Sequence, residues 1–184
     1  MRLIPWLFTV IGAIWSTGNI LLAVVAFLAF SWQKAHPEVI TREGTGAIFG
    51  IGLGVWASLV SLLLIPLLVA IGWRCGKAWR GRKPVIAALW LALLAGAWGV
   101  HAVNRQTTDE ANQLASGIRE LRAKPADQQG PLPALEERFA KLHHSSEAWH
   151  GGETLLALGL LVGGSWELLR RRAEDRASPA ALAS

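Results

Sequence analysis

The sequence predicts an all-α membrane protein: a four-transmembrane-helix bundle with an extramembrane antiparallel helical hairpin between spans three and four. Three observations carry this. Four long runs are apolar, Lys and Arg are spread unevenly between them, and the one long polar segment keeps a helical period. Of 184 residues, 52% are hydrophobic and 17% charged, below the quarter or so usual in soluble domains. A soluble domain of this size has too little interior to hide that much apolar side chain.

The first run, Leu3 to Trp32, follows Arg2 as a signal peptide would. It is far longer than a signal's apolar core of about 7–15 residues, and no small-x-small cleavage site ends it, so it is expected to stay as an anchor. The second covers about 47–73 and contains Pro66, which removes one backbone hydrogen bond and is expected to kink the helix. The third covers about 85–103 and the fourth about 149–169. Each can span roughly 30 Å of hydrocarbon. Trp6, Trp32, Trp73, Trp79 and Trp149 fall near the ends of runs, where an apolar ring with a polar N–H suits the interface.

Orientation follows from Lys and Arg. The 73–84 connector carries Arg74, Lys77, Arg80, Arg82 and Lys83, and the C-terminal tail carries Arg170, Arg171, Arg172 and Arg176. The 33–46 connector has only Lys34 and Arg42, and 104–148 mixes six basic with seven acidic residues. The positive-inside rule puts both termini and the 73–84 loop in the cytoplasm of a multi-pass protein of the cell membrane. The net charge of +5 then reflects the lipid surface, not nucleic acid. The membrane domain is expected over 1–172 and a disordered cytoplasmic tail over 173–184.

Residues 104–148 are not a plain loop. Ala111, Leu114, Ile118 and Leu121 recur at helical spacing, as do Leu132, Leu135, Phe139 and Leu142, which reads as two amphipathic helices. Thr107 and Thr108 before Asp109 and Glu110 make a plausible start, and Pro125, Gly130, Pro131 and Pro133 mark the turn. No Pro or Gly lies between Gly99 and Gly117, so the third span can run unbroken into the first of them, and the second can feed the fourth span. The 107–148 segment then stands as an outer hairpin fit to dock a protein partner. The alternative is two helices lying flat on the membrane.

Close helix packing in lipid relies on small residues. Gly46, Gly50, Gly54 and Ser58 share a face of the second span, Ala88, Ala92 and Gly96 of the third, and Gly159 and Gly163 of the fourth. They are expected to form seams of the bundle, or else a homo-oligomer contact.

Five histidines, His36, His101, His143, His144 and His150, fall in outer segments or at outer helix ends. His143, Glu147, His150 and Thr154 form one stripe, flanked by Ser146 and Glu153. If spans three and four are neighbours, His101, His150 and Glu153 can meet. Imidazole and carboxylate suit a transition metal, and paired histidines can hold a haem, so His101, His143 and His150 could make this a metal- or haem-binding membrane protein. A proton or ion path is a further possibility for a small oligomeric transporter or channel. The plainer account is interfacial polar packing with no cofactor. Glu147-Ala-Trp-His150 is an E-x-x-H segment, but di-iron bundles need two and no second is present. Asn19, mid-span, is expected to bond another helix, and Glu167 to pair with Arg170 and Arg171. One cysteine, Cys75, excludes paired-cysteine sites. No nucleophile elbow, phosphate loop or dinucleotide fingerprint is present, so no catalytic activity is expected.

The run Phe139-Ala-Lys-Leu142-His143-His-Ser-Ser146-Glu-Ala-Trp-His150 resembles the F-x-x-L-H-x-x-S-x-x-x-N pattern before the last span of the family similar to transmembrane protein 205, whose bacterial members form a domain of unknown function. Ala47-Ile48-Phe49-Gly50 and the four-span layout resemble it too. His150 stands where that family has Asn, and Asn104-Arg105 lacks its Val-x-Pro. The resemblance implies that Phe139, Leu142, His143 and Ser146 are a structural signature, and it implies no known chemistry.

Overall fold

The structure is a computed structural model and describes residues 3–40 and 42–176. It consists of four long helices: α1 (Leu3–Ala35), α2 (Arg42–Arg80), α3 (Pro84–Arg122) and α4 (Leu132–Arg176). A 3-10 turn, Ala126–Gln128, lies between α3 and α4. Each long helix has a stretch apolar enough to cross a membrane. A helix bonds its own backbone groups, which lipid cannot do for it.

The helices alternate up and down in a ring, α1 on α2, α2 on α3, α3 on α4 and α4 on α1. The end holding Leu3, the α2–α3 turn and Arg176 is called lower here, and the other upper. The lower turn is tight. Lys83 N–H bonds Ala78 O and Arg82 N–H bonds Trp79 O, both at 3.0 Å, with Arg82 left-handed at φ 53°. This is a Schellman ending. Pro84 then opens α3, where its missing N–H costs nothing. The helix α2 continues past Pro66 to Arg80.

The third span runs without a break through 104–122, and 132–148 runs without a break into the fourth. Thr107 starts no helix. Its hydroxyl bonds Val103 O and Asn104 O, each at 3.0 Å, within α3. The chain beyond 172 also departs from expectation: α4 reaches Arg176, held by Arg170–Glu174 at 3.2 Å. Residues 177–184 lie outside the described residues.

The core fills the lower half. Phe8, Ile11 and Trp15 of α1 meet Val60, Leu64, Leu67 and Ile71 of α2, with Ala97 of α3 and Ala157 and Leu160 of α4. Among the described residues, α1 buries none above Asn19 and α4 none above Glu153.

The small-residue seams are elsewhere than their spacing suggested. A Cβ at Gly46, Gly54, Gly159 or Gly163 would meet nothing within 4 Å, and Gly50 nears only Asn112. Ser58 is exposed and bonds Gly54 O, and Ala88 and Ala92 are exposed too. The tight contacts are at Gly12, where a Cβ would lie 2.5 Å from Leu161 N, and at Gly164, where it would lie 2.7 Å from Thr9 N. Gly18 sits against the Trp56 ring. Spacing shows that small residues share a stripe, but not which way the stripe faces.

The lower end is pinned by charge. Arg74 of α2 reaches both carboxylate oxygens of Glu167 of α4 at 2.6 Å, and Arg171 adds a bond at 2.6 Å. The Arg74 guanidinium also lies 5.7 Å from the Trp90 ring centre. Glu167 thus ties two helices together, and Arg170 turns to Glu174 instead.

Candidate functional site at the polar layer

Directly above the core, four helices each place a polar group into one layer. The ring of His101 on α3 is 5% exposed, and its Nδ1 lies 2.9 Å from Glu153 Oε1 on α4. Glu153 is 2% exposed. The other ring nitrogen, Nε2, lies 2.9 Å from Ser61 Oγ on α2. Trp15 of α1 meets the ring edge-on, centres 6.5 Å apart. His150 Nδ1 is 3.9 Å from Glu153 Oε2. A carboxylate only accepts, so it draws the imidazole proton to Nδ1 and leaves Nε2 as the acceptor for the Ser61 hydroxyl.

Asn19 joins a second chain of bonds. Trp56 Nε1 donates to Asn19 Oδ1 at 2.7 Å, Asn19 Nδ2 donates to Thr154 Oγ1 at 3.1 Å, and Thr154 donates to His150 O at 2.9 Å. Burying these groups is tolerable because each finds a partner. Three others at this level do not: Trp15 Nε1, Asn104 Oδ1 and His150 Nε2 are buried with no hydrogen-bond partner among the described residues.

The expected meeting of His101, His150 and Glu153 is therefore present. His143 and Glu147 do not join it. His143 is exposed, stacks on Phe139 with centres 5.8 Å apart and lies 3.3 Å from Glu147. His144 turns to the same Glu147 at 3.3 Å, and His36 lies by Trp32 in the α1–α2 connector. Among the described residues no three His, Cys, Asp or Glu are set to hold a metal. Sequence reasoning missed Ser61. A serine in an apolar helix is common, and only partners from two other helices mark this one.

Above the layer, the helices border an open cavity of about 1480 Å³. Phe27, Phe30, Phe49 and Leu53 line its α1–α2 wall, while Arg105, Asn112, Arg119, Glu136 and His143 line its α3–α4 wall. Asn19, His101, Asn104, His150 and Glu153 form its polar floor. The α1–α2 wall is thus apolar up to Ser31 and Lys34, while the α3–α4 wall sets charged and amide side chains among Ala111, Ala115, Ile118, Phe139 and Leu155. On this second wall Arg122 pairs with Glu136 at 2.8 Å, and Ser146 meets Thr108 at 3.2 Å. A smaller cavity of about 610 Å³ opens between α2 and α3, and Ser61, His101 and Arg105 line it.

Comparison with protein-family models, curated proteins and solved structures finds no match to this chain. Of the four positions that resemble the transmembrane-protein-205-like pattern, Phe139 and His143 stack on each other, Ser146 tethers α4 to α3, and Leu142 is half-buried.

Proposed function

We propose that this is a multi-pass protein of the cell membrane that binds an amphiphile, a lipid-like molecule with an apolar tail and a polar head, in its upper cavity. Both termini and the 73–84 loop are cytoplasmic in this reading, by the excess of Lys and Arg there. The upper parts of α3 and α4 stand outside the membrane as a hairpin, because they carry charge that hydrocarbon rejects. They bear the short run that resembles the transmembrane-protein-205-like pattern, and this reading takes the four-span layout as part of the same resemblance.

The observation that carries the proposal is the mismatch between the cavity walls. Phe27, Phe30, Phe49 and Leu53 face charged and amide side chains across open space. Water leaves the first wall unsatisfied and hydrocarbon leaves the second so. An amphiphile suits both, with its tail on α1 and α2 and its head toward α3 and α4. Asn104 Oδ1 and His150 Nε2, buried and unpartnered at the floor, offer an acceptor and a ring nitrogen to such a head. Ligand pockets commonly combine apolar lining with a few placed polar groups. The transporter alternative fits less well, since the core below the layer is apolar from Trp15 down to Phe8 and Ile71.

The test is photo-crosslinking of a diazirine fatty acid to the protein in lipid nanodiscs, followed by peptide mapping. Adducts should concentrate on the α1 and α2 peptides containing Phe30 and Phe49, and Ala26→Trp, which fills the cavity, should remove them. Equal labelling of all lipid-facing helices, unchanged by Ala26→Trp, would overturn the proposal.

A further inference from the structure

We infer that Ser61, His101 and Glu153 form a nucleophilic relay that transfers the acyl group of an amphiphile's ester, reached from the membrane through the smaller cavity between α2 and α3. This inference does not rest on ligand binding in the upper cavity, because Ser61 lines the smaller cavity and not the upper one.

The geometry is that of an activated serine. A nucleophilic hydroxyl needs a base within hydrogen-bond reach, and the base needs a third group to hold its tautomer. Here the serine–imidazole distance and the imidazole–carboxylate distance are both 2.9 Å. The base and the carboxylate are buried, so little competes for the imidazole, while Ser61 is only half-buried and faces a cavity. Ser61 has one hydroxyl proton and two acceptors at 2.9 Å, Ala57 O and His101 Nε2. Rotation about its C–O bond moves the proton from one to the other. Arg105 Nη1 lies 3.4 Å from Ser61 Oγ, which sets a charged donor beside the carbonyl oxygen of an acyl group bonded to Ser61, where the oxyanion forms.

The surroundings indicate the substrate class. On the cavity rim, Ile65 and Trp98 are 59% and 58% exposed, a surface suited to lipid tails. About two to three turns above Trp98 on α3, Arg105, Gln106 and Asp109 line the same cavity. Ser61 therefore sits where apolar surface gives way to polar on α3, the level at which a lipid's ester carbonyl lies between tail and head.

In the reaction, Ser61 Oγ bonds the acyl carbon as its proton passes to His101 Nε2. The carbon–oxygen bond to the alcohol breaks, and that oxygen takes the proton from Nε2. Water then attacks the acyl-serine, giving one proton to Nε2, which returns it to Oγ. The net change is ester plus water to acid plus alcohol. Glu153 is a positioning residue that keeps Nε2 free of its proton.

The experiment uses the full chain in nanodiscs with an alkyl fluorophosphonate, which forms a stable adduct only with an activated serine, and mass spectrometry to find the adduct. A phosphonyl adduct on Ser61 is expected, absent in Ser61→Ala. In His101→Gln the labelling rate should fall on the order of 10²–10⁴-fold, the usual worth of a general base. In Glu153→Gln it should fall too, with its pH profile displaced, which lost packing alone would not produce. Thermal unfolding of each variant reports whether it is folded, and Glu153→Asp, which keeps the carboxylate, should recover part of the rate. No adduct on Ser61 in folded wild-type protein, or an unchanged rate in folded His101→Gln, would overturn the inference.

Discussion

The His101–Glu153 contact makes a quantitative claim that a double-mutant cycle can check. Replace Glu153 by Leu, His101 by Phe, and then both. Each single change leaves a polar partner in a site only 5% or 2% exposed. An orphaned buried donor or acceptor costs about 1–3 kcal/mol, and an orphaned buried charge about 3–5 kcal/mol. The two arms are not equal. When His101 is lost, Glu153 is left as a buried carboxylate with His150 at 3.9 Å, beyond hydrogen-bond reach. When Glu153 is lost, a neutral imidazole remains and keeps Ser61 at 2.9 Å. His101→Phe should therefore be the costlier single change. The double variant removes both groups together and leaves no orphan between them, so it should cost about 2 kcal/mol less than the sum of the singles. A neutral side-chain bond between membrane helices averages only about 0.6 kcal/mol, so the size of the coupling shows whether the bond is charge-assisted. Unfolding in mixed micelles of native detergent and dodecyl sulfate gives the four stabilities. If the double equals the sum to within about 0.5 kcal/mol, the limit for independent sites, the pair does not interact as described.

Two further predictions concern the backbone. Gly12→Ala should cost about 1–3 kcal/mol by overpacking, since its Cβ would meet backbone atoms of Leu161 and Ala157, whereas Gly159→Ala and Gly163→Ala should leave the same unfolding midpoint unchanged or raise it. Arg82→Gly should raise stability by up to about 1 kcal/mol, because a side chain at left-handed φ costs roughly that much; a lower thermal midpoint would show that the arginine contributes more than its conformation costs.

What could be read from the sequence followed from long, one-dimensional signals. Hydropathy over twenty residues marks a span whatever its neighbours are, so all four helices were legible. The absence of Gly and Pro from 100–116 made the continuity of α3 legible as well. Contacts between helices were not. His101 and Glu153 could be paired in advance only because both sit near span ends whose heights follow from topology. Ser61 and Arg74 sit on α2, and nothing in their own segment indicates that one faces an imidazole and the other a carboxylate. The same limit misplaced the seams. Gly159 and Gly163 form a more regular pair than Gly12 and Gly164, yet only the latter two lie against a neighbouring backbone. A relay spread over three helices leaves no contiguous motif, so no catalytic signature marks it in the sequence.

The heights of the polar groups set the upper cavity against the bilayer. A hydrocarbon core of about 30 Å takes about twenty helical residues. Counted upward from the lower ends of the apolar runs at Leu3, Val85 and Leu169, that length ends near residues 23, 105 and 149. Asn19, His101 and Glu153 each stand four residues, about 6 Å, below that level. Three helices that agree so closely place the polar layer just under one membrane surface, where burying a charge is less costly than at the midplane. On α3 and α4 the polar sequence begins at that surface, but on α1 the apolar run continues to Trp32, about 14 Å further. Phe27 and Phe30 lie on this extension, facing the cavity. Apolar surface thus leads without interruption from the bilayer into the upper cavity along α1, while charged surface faces it from α3 and α4. A molecule that follows that path keeps its tail on protein throughout and brings its head to the buried His101–Glu153 pair.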